Sequence, residues 1–418
     1  MPTISESHLK EFLKSIKDRP LEAGEPFYVQ HFQEDNDPIK ELYHHITRDD
    51  DMQSVALLSG FRGNGKSTEL RRLKVLLEHK EYAVVLCDME PFFDEYEPVK
   101  VTDFLISVAL ALNEAMRKQY GEDFLQESYL KRFLEFLKTE LILENVGEGY
   151  GFLVNLVKEP TLKMRLQNAL STKIESFVRE MRHFFDNIRI FLQNRGYKQT
   201  VLLLDSFEKI RGIGENAHQL HESVDDLFRR HVGDKLQLPN WHVVYTVPPY
   251  VTSVAGSQLG ICTFLPNIHV LNKDGSHDGK GIEIMKEVIK RRFDWPQVFT
   301  NAQMERVILA TAGSFRVFFR LIRTILLKVP EKNQLIEVPV TPKLIERAEN
   351  DFLRDMTFLL PTEDKEWLKK IEESKKPEVS VEIDKVVLMK FMDKDWVFLY
   401  HNGKAWFDVN PLLKRALD

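Results

Sequence analysis

The chain has 418 residues, enough for two to four domains of ordinary size, and its 43% hydrophobic, 29% charged and 11% aromatic residues exclude a disordered or fibrous chain. Lys+Arg 58 against Asp+Glu 64 leaves a net charge of −6, so no global attraction to nucleic acid or anionic lipid is built in. Cys87 and Cys262 are too few for a disulfide framework, and their apolar, strand-like surroundings suit buried, reduced thiols. The first residues lack an apolar signal core and no run approaches the roughly 18 apolar residues of a spanning helix. These features predict a cytoplasmic protein with no membrane partner.

In chain order, residues 1–50 form a leader with helical spacing at Leu9, Phe12, Leu13 and Ile16. The prolines and glycine of PLEAGEPFYV then break the helix, and a second helix runs from Pro38 to about Thr47. Ser54–Gly60, SVALLSG, reads as a strand ended by glycine, followed by the helical KSTELRRLKVLLEH and a second strand at Ala83–Glu90. Strand, helix and strand predict a β-α-β unit in a parallel sheet. VLLLD (Val201–Asp205) and WHVVYTV (Trp241–Val247) add two strands. Between the second and third strands, residues 101–194 read as a helical insertion, with helices at Val101–Tyr120, Leu125–Glu144 and Pro160–Asn194 and a strand or hairpin at Glu148–Glu159. Beyond the NKDGSHDGKG loop, helical patterns at Ile282–Phe293, Gln303–Thr311 and Ser314–Lys328 define a small domain over 276–340. Residues 341–418 give helices to about Asp393, then two aromatic runs around Asn402-Gly403, a type I′ hairpin signal, so this end reads as a winged helix.

The chemistry concentrates at Gly60-Phe61-Arg62-Gly63-Asn64-Gly65-Lys66-Ser67, a G-x-x-x-x-G-K-[ST] match lying between strand and helix. Glycines let successive backbone N–H groups curl around an anion, and the helix N-terminus adds positive dipole. In that geometry Lys66 contacts β/γ-phosphate oxygens, Ser67 ligates Mg²⁺ and Thr68 reaches the α-phosphate. A carboxylate for the metal must end a neighbouring strand. Asp205 is the first choice and Asp88 the competitor. Glu208, one turn on, is placed to polarise the attacking water, against a reading as a solvated helix-start glutamate.

With these residues in view, the loop and VLLLDSFEKI resemble the additional-strand branch of P-loop ATPases, which includes the AAA+ and STAND groups. The resemblance implies an α/β parallel-sheet P-loop core over 51–275, a helical lid over 276–340 and a winged helix over 341–418. It implies ATP and Mg²⁺ as ligands, with Asp205 holding the metal and Glu208 activating water. Many AAA+ members place Glu directly after the Asp, where this chain has Ser206. WHVVYTVPP resembles the sensor-1 strand, putting Thr246 near the γ-phosphate, and Val247 stands where many STAND members carry Arg. ATAGSFRVFFRLIR resembles the sensor-2 helix of origin-recognition-type ATPases, which makes Arg316 a phosphate-sensing guanidinium. PFYV resembles the stretch lining the adenine pocket, so Tyr28 and Val29 become base contacts beside the loop residues Gly60, Arg62, Gly63, Asn64 and Gly65.

Arg229 and Arg230 at a helix end read either as arginine fingers acting on a neighbouring subunit or as cations at the C-terminal dipole. Asn272-Lys273-Asp274-Gly275 departs from the N-K-x-D guanine signature at Gly275, which favours adenine. No Cys/His cluster has zinc spacing, and His44-His45, His218 and His221 read as surface or satisfied core histidines. Residues 341–418 hold about 14 Lys/Arg against about 16 Asp/Glu, a balance that does not favour DNA and leans toward protein docking. The expectation is therefore a nucleotide-controlled switch ATPase acting on its own assembly or on a protein effector, in the manner of bacterial defence or signalling STAND proteins. An ATP-regulated DNA-binding initiator or loader is the alternative, and a scaffold that barely hydrolyses ATP a third reading.

Overall fold

A computed structural model describes residues 2–48, 52–121, 124, 132–133, 135–136, 139, 154–155, 158–212, 216–255, 261–332, 335–358, 360–376, 382–401 and 405–417. The expected segments Leu125–Glu144 and Glu148–Glu159 fall mostly outside these residues, and the Asn402-Gly403 turn falls wholly outside them. The described elements run β1 (Thr3–Ser5), α1 (Glu6–Ser15), α2 (Pro38–Arg48), β2 (Ser54–Ser59), α3 (Lys66–Glu78), β3 (Ala83–Asp88), α4 (Val101–Tyr120), α5 (Pro160–Leu170) and α6 (Ile174–Gln193). There follow β4 (Thr200–Asp205), α7 (Ala217–His231), β5 (His242–Val247), α8 (Pro249–Ala255), β6 (Ile261–Phe264), α9 (Gly279–Lys290), α10 (Asn301–Ala310) and α11 (Phe315–Leu327). The chain ends with β7 (Glu331–Lys332), β8 (Leu335–Glu337), α12 (Pro342–Thr357), α13 (Thr362–Ser374), α14 (Glu382–Asp393), β9 (Val397–Tyr400), β10 (Trp406–Val409) and α15 (Pro411–Lys414).

The chain folds as two compact units. One consists of Glu34–Ser59 and Lys66–Phe264. Its five strands form a parallel sheet in the order β3-β4-β5-β2-β6. β4 and β5 are buried throughout, which explains their unbroken apolar sequences: a parallel sheet is covered on both faces by its crossover helices. β5 lies between β2, which leads into the P-loop, and β4, which ends in Asp205. That inserted strand is the feature the additional-strand resemblance implies, and the chain has an α/β P-loop core of this type. The register sets Asp88 opposite Asp205 and Leu58 opposite Thr246, so the polar strand ends gather at the carboxyl edge.

α4 packs against β3 and carries α5 and α6 on its other contacts. The expected Pro160–Asn194 helix is thus two helices, interrupted at Ser171–Lys173. Phe104 of α4 meets Phe207, Phe228 and Tyr245 at 4.9, 5.9 and 5.7 Å between ring centroids, and Trp241 donates its indole N–H to the Phe185 carbonyl at 3.2 Å. The described helices of the insertion therefore belong to the sheet's own core.

The other unit consists of Met1–Gln33, Gly60–Gly65 and Leu265–Asp418. Its core joins Leu9, Phe12 and Ile16 of the leader to Met285 and Ile289 of α9, Val307 and Ile308 of α10, Phe318 and Ile322 of α11, and Ile345 of α12. β1 adds to β8 and β7 in an antiparallel three-stranded sheet. Residues of the first 33 thus share a core with α9, α10, α11 and α12, where the sequence predicts a separate leader. α13 and α14 precede the antiparallel pair β9–β10, with Trp406 opposite Tyr400. Glu349 of α12, 3% exposed, takes Arg306 of α10 at 2.9 Å and Arg415 at 3.1 Å, tying the chain's end to the helical core. Both cysteines are free thiols, and burial pushes Cys262 up to about 12 and Cys87 further. No described helix is long and apolar enough to cross a membrane.

Candidate nucleotide site

β2 delivers the chain into the P-loop, and α3 begins at Lys66. Gly63 adopts φ +73°, and a Cβ there would collide with the Arg316 side chain, so glycine is required by both conformation and space. The Asn64 side-chain amide donates to the Leu265 carbonyl, which braces the loop from outside.

Five polar side chains converge at the start of α3 and the ends of β4 and β5. The Ser67 hydroxyl hydrogen-bonds the Asp205 carboxylate. Asp205 Oδ1 also accepts the Ser206 N–H at 2.9 Å. Lys66 Nζ, its residue 2% exposed, lies 3.5 Å from Glu208 Oε1, and Glu208 also bonds the Thr246 hydroxyl. Thr246 Oγ1 accepts the Phe207 N–H at 3.3 Å.

The local backbone explains how an acid three residues past Asp205 reaches this place. Ser206 sits in the left-handed region, φ +76°, and turns β4 sharply into the single 3₁₀ turn Phe207–Lys209. Phe207, 1% exposed, anchors that turn among Phe93, Phe104 and Phe228. Glu208 is then folded back toward Lys66. The Ser206 offset, a departure from the acid-then-glutamate order in sequence, is absorbed by this turn.

The two acids have opposite protonation tendencies. Burial, with the Glu208 charge added, pushes Asp205 up to about 6 against the opposing hydrogen bonds from Ser67 and Ser206. Burial also works to raise Glu208, but the Lys66 ammonium and the Thr246 hydroxyl outweigh it and hold the carboxylate below its usual range. Two buried carboxylates beside a single lysine fit a divalent cation, which would neutralise the excess charge. Among the described residues no cluster of three His, Cys, Asp or Glu could hold a metal alone. The donor set suits Mg²⁺, which keeps few protein ligands and takes the rest from water and phosphates. Ser67 and Asp205 would supply the protein ligands. Asp88, exposed, takes no part in the Ser67 contact, and its Oδ1 accepts the Glu90 N–H at 3.1 Å.

In the other unit, Arg316 lies against Gly63 and its Nε meets Asp18 Oδ2 at 3.2 Å. The Arg62 guanidinium, 7% exposed, is 3.5 Å from Asp393. Tyr28 and Val29 belong to a strap held by Arg291 on the Tyr28 carbonyl and by Arg292 on the Phe27 carbonyl at 3.2 Å. The strap continues to His31, whose ring meets Phe315 edge-on at 6.0 Å, while Phe315 reaches the Cβ position of Gly65 at 4.0 Å. Tyr28 and Val29 are thus near the P-loop in this unit. His31 and Phe315, which sequence reading passed over, complete the approach. Arg230 is 69% exposed and pairs with Asp226 on its own helix at 3.2 Å. The Asn272-Lys273-Asp274 segment is an exposed turn in which the Asp274 carboxylate accepts the Ser276 N–H at 2.9 Å.

No protein-family model matches the chain, and no curated protein matches it. Among solved structures, similar chains include a Walker-type ATPase of Pyrococcus abyssi, with 12% identity, 96% of this chain and 99% of that chain covered, and a TM-score of 0.41. Cdc6p of Pyrobaculum aerophilum has 13% identity over 100% of both chains with a TM-score of 0.38. The Aeropyrum pernix ORC2 protein, solved as ADPNP-ADP complexes, has 10% identity over 97% of this chain and 95% of that chain with a TM-score of 0.42. Likeness at this level carries no argument. The fold rests on the strand order and the P-loop themselves.

Proposed function

We propose that this chain is a Mg-ATP-dependent ATPase whose nucleotide state switches its conformation and thereby controls its assembly or a protein effector. The observation that carries this reading is the convergence of Lys66, Ser67, Asp205, Glu208 and Thr246 where β2, β4 and β5 end.

Each residue has a distinct task in this reading. The backbone N–H groups of the P-loop and the start of α3 bind the phosphates, and Lys66 exchanges Glu208 for a phosphate oxygen. Ser67 and Asp205 would hold a Mg²⁺ ion, which would supply neutralisation of the charge developing on the transferring phosphoryl group. Glu208, kept ionised, accepts a proton from the attacking water, and the Thr246 hydroxyl holds the carboxylate in place for that transfer. Arg316 would read the terminal phosphate, and an Arg230 contribution would come from a neighbouring copy. Adenine is favoured because Asp274 is already engaged in its own turn. Three lysines of the C-terminal region are paired with acids, Lys390 with Asp364 at 2.5 Å and Lys375 and Lys414 with Asp408 at 2.7 and 2.8 Å. Together with the balance of about 14 Lys/Arg against about 16 Asp/Glu over residues 341–418, this supports a protein partner over a DNA backbone.

Calorimetric titration with ATP, ADP and GTP, with and without Mg²⁺, tests the reading. Wild-type protein should bind ATP more tightly with Mg²⁺ than without it and in preference to GTP, and Lys66→Ala should lose at least about tenfold in affinity. Equal binding of ATP and GTP, or binding indifferent to Mg²⁺, would sink it.

A further inference from the structure

Two buried or half-buried arginines border the P-loop within the unit formed by Met1–Gln33, Gly60–Gly65 and Leu265–Asp418, and both are already occupied by carboxylates from distant parts of the sequence. Arg62 is a loop residue. Its guanidinium and the Asp393 side chain are 7% and 6% exposed and lie 3.5 Å apart. Arg316 packs on Gly63 and bonds Asp18 at 3.2 Å.

Asp393 sits at a shaped turn. At the end of α14, the Lys394 N–H bonds the Lys390 carbonyl, the Asp395 N–H bonds the Met392 carbonyl and the Trp396 N–H bonds the Phe391 carbonyl. Asp395 takes φ +55°, the left-handed conformation of a tight helix stop. Phe61, 1% exposed, packs edge-on against Phe398 of β9 at 5.1 Å, so the turn and the loop are joined by an apolar contact beside the ionic one. Arg316, Arg62 and Arg320 all act electrostatically on Asp395, opposing the effect of its burial.

Arginine binds carboxylate and phosphate with the same forked donors. We infer that Asp18 and Asp393 form an autoinhibitory latch that occupies Arg316 and Arg62 in place of nucleoside-triphosphate phosphates, so that triphosphate binding must displace the turn after α14 from Arg62. This rests on the nucleotide reading above and adds its regulation: the C-terminal helix–hairpin region is released when phosphate takes over the arginines. The link has the right sign for a switch, because a ligand shifts a conformational equilibrium only by its difference in affinity for the two states.

The test titrates the full chain with a non-hydrolysable ATP analogue and with ADP, comparing wild type, Asp393→Asn and Asp18→Asn. Each variant is checked by thermal melting, so that the exposed Asp18→Asn serves if the buried Asp393→Asn fails to fold. The latch predicts that removing either carboxylate tightens triphosphate binding by about threefold or more, equivalent to about 0.65 kcal/mol, with a smaller change for ADP. Hydrogen exchange of residues 390–398 in Asp393→Asn should rise before nucleotide is added. If wild type binds and both folded variants bind no more tightly, the latch is overturned while the nucleotide reading stands. If neither wild type nor any variant binds either nucleotide, both fall. If only the variants bind, the latch is strongly supported.

Discussion

In the proposed reaction Glu208 is the general base, and its neighbours define what it can do. It lies between the Lys66 ammonium and the Thr246 hydroxyl, both of which favour the ionised form a general base needs. Thr246→Val removes the hydroxyl while keeping the shape of a buried strand end. We expect steady-state turnover to fall by about 10²-fold with ATP affinity nearly unchanged, read as kcat against KM. A loss confined to KM would place Thr246 in binding.

Asp395 allows a second residue-scale prediction. Burial raises its carboxyl from the model-peptide value of 3.8 to about 6 despite three arginines. The folded state therefore holds this proton more tightly than the unfolded chain, so the contribution to stability is present below about pH 4 and lost as pH rises through about 6. Asp395→Asn should melt above wild type at pH 8, with the gap closing toward pH 4. A gap that is constant with pH would contradict the assignment. The sequence showed the Walker-type lysine, serine and acids plainly, because their chemistry is tied to spacing. It could not show Asp393 beside Arg62 or Asp18 beside Arg316, since those contacts join segments more than 250 residues apart and leave no local signal.

At the scale of elements, the parallel strands were legible because each is a short apolar run between helices, and β2, β3, β4 and β5 appear within a residue or two of their expected ends. β1 and β6 were not read as strands. β1 is three residues of mixed polarity, and its place is set by pairing with β8. β6 follows a glycine-containing segment and extends only four residues beside β2. The break at Ser171–Lys173 escaped notice because helical periodicity continues on both sides of it. The P-loop turn is the element most sensitive to substitution. Gly63→Ala meets both a positive φ and the Arg316 side chain, so it should destabilise the fold by about 1–3 kcal/mol and weaken ATP binding. An unchanged melting temperature with full ATP affinity would show that the loop is not held as described.

Across the whole molecule, the chain's two compact units divide within the P-loop, between Gly65 and Lys66. Sequence reading separated a leader, a core, a lid and a winged helix by composition. It could not anticipate that Leu9, Phe12 and Ile16 share a core with α9 to α12, because that apolar face names no partner by itself. The −6 net charge and the balance of about 14 Lys/Arg against about 16 Asp/Glu in residues 341–418 both point away from a DNA partner. Mass measured with ADP, with the ATP analogue and without nucleotide is expected to differ if assembly is the output. One mass in all three states would leave a protein effector as the target of the switch.

The central claim is that Glu208, Lys66 and the Ser67–Asp205 pair make this chain an ATPase. It is tested most directly by Mg²⁺-dependent phosphate release from ATP across a range of protein concentrations, for wild type, Lys66→Ala and Glu208→Gln. The account predicts release that requires Mg²⁺, is abolished by Lys66→Ala through lost binding, and falls at least about 10²-fold in Glu208→Gln while ATP still binds. Release that persists in Glu208→Gln, or its absence in wild type at every concentration despite bound Mg-ATP, would contradict it.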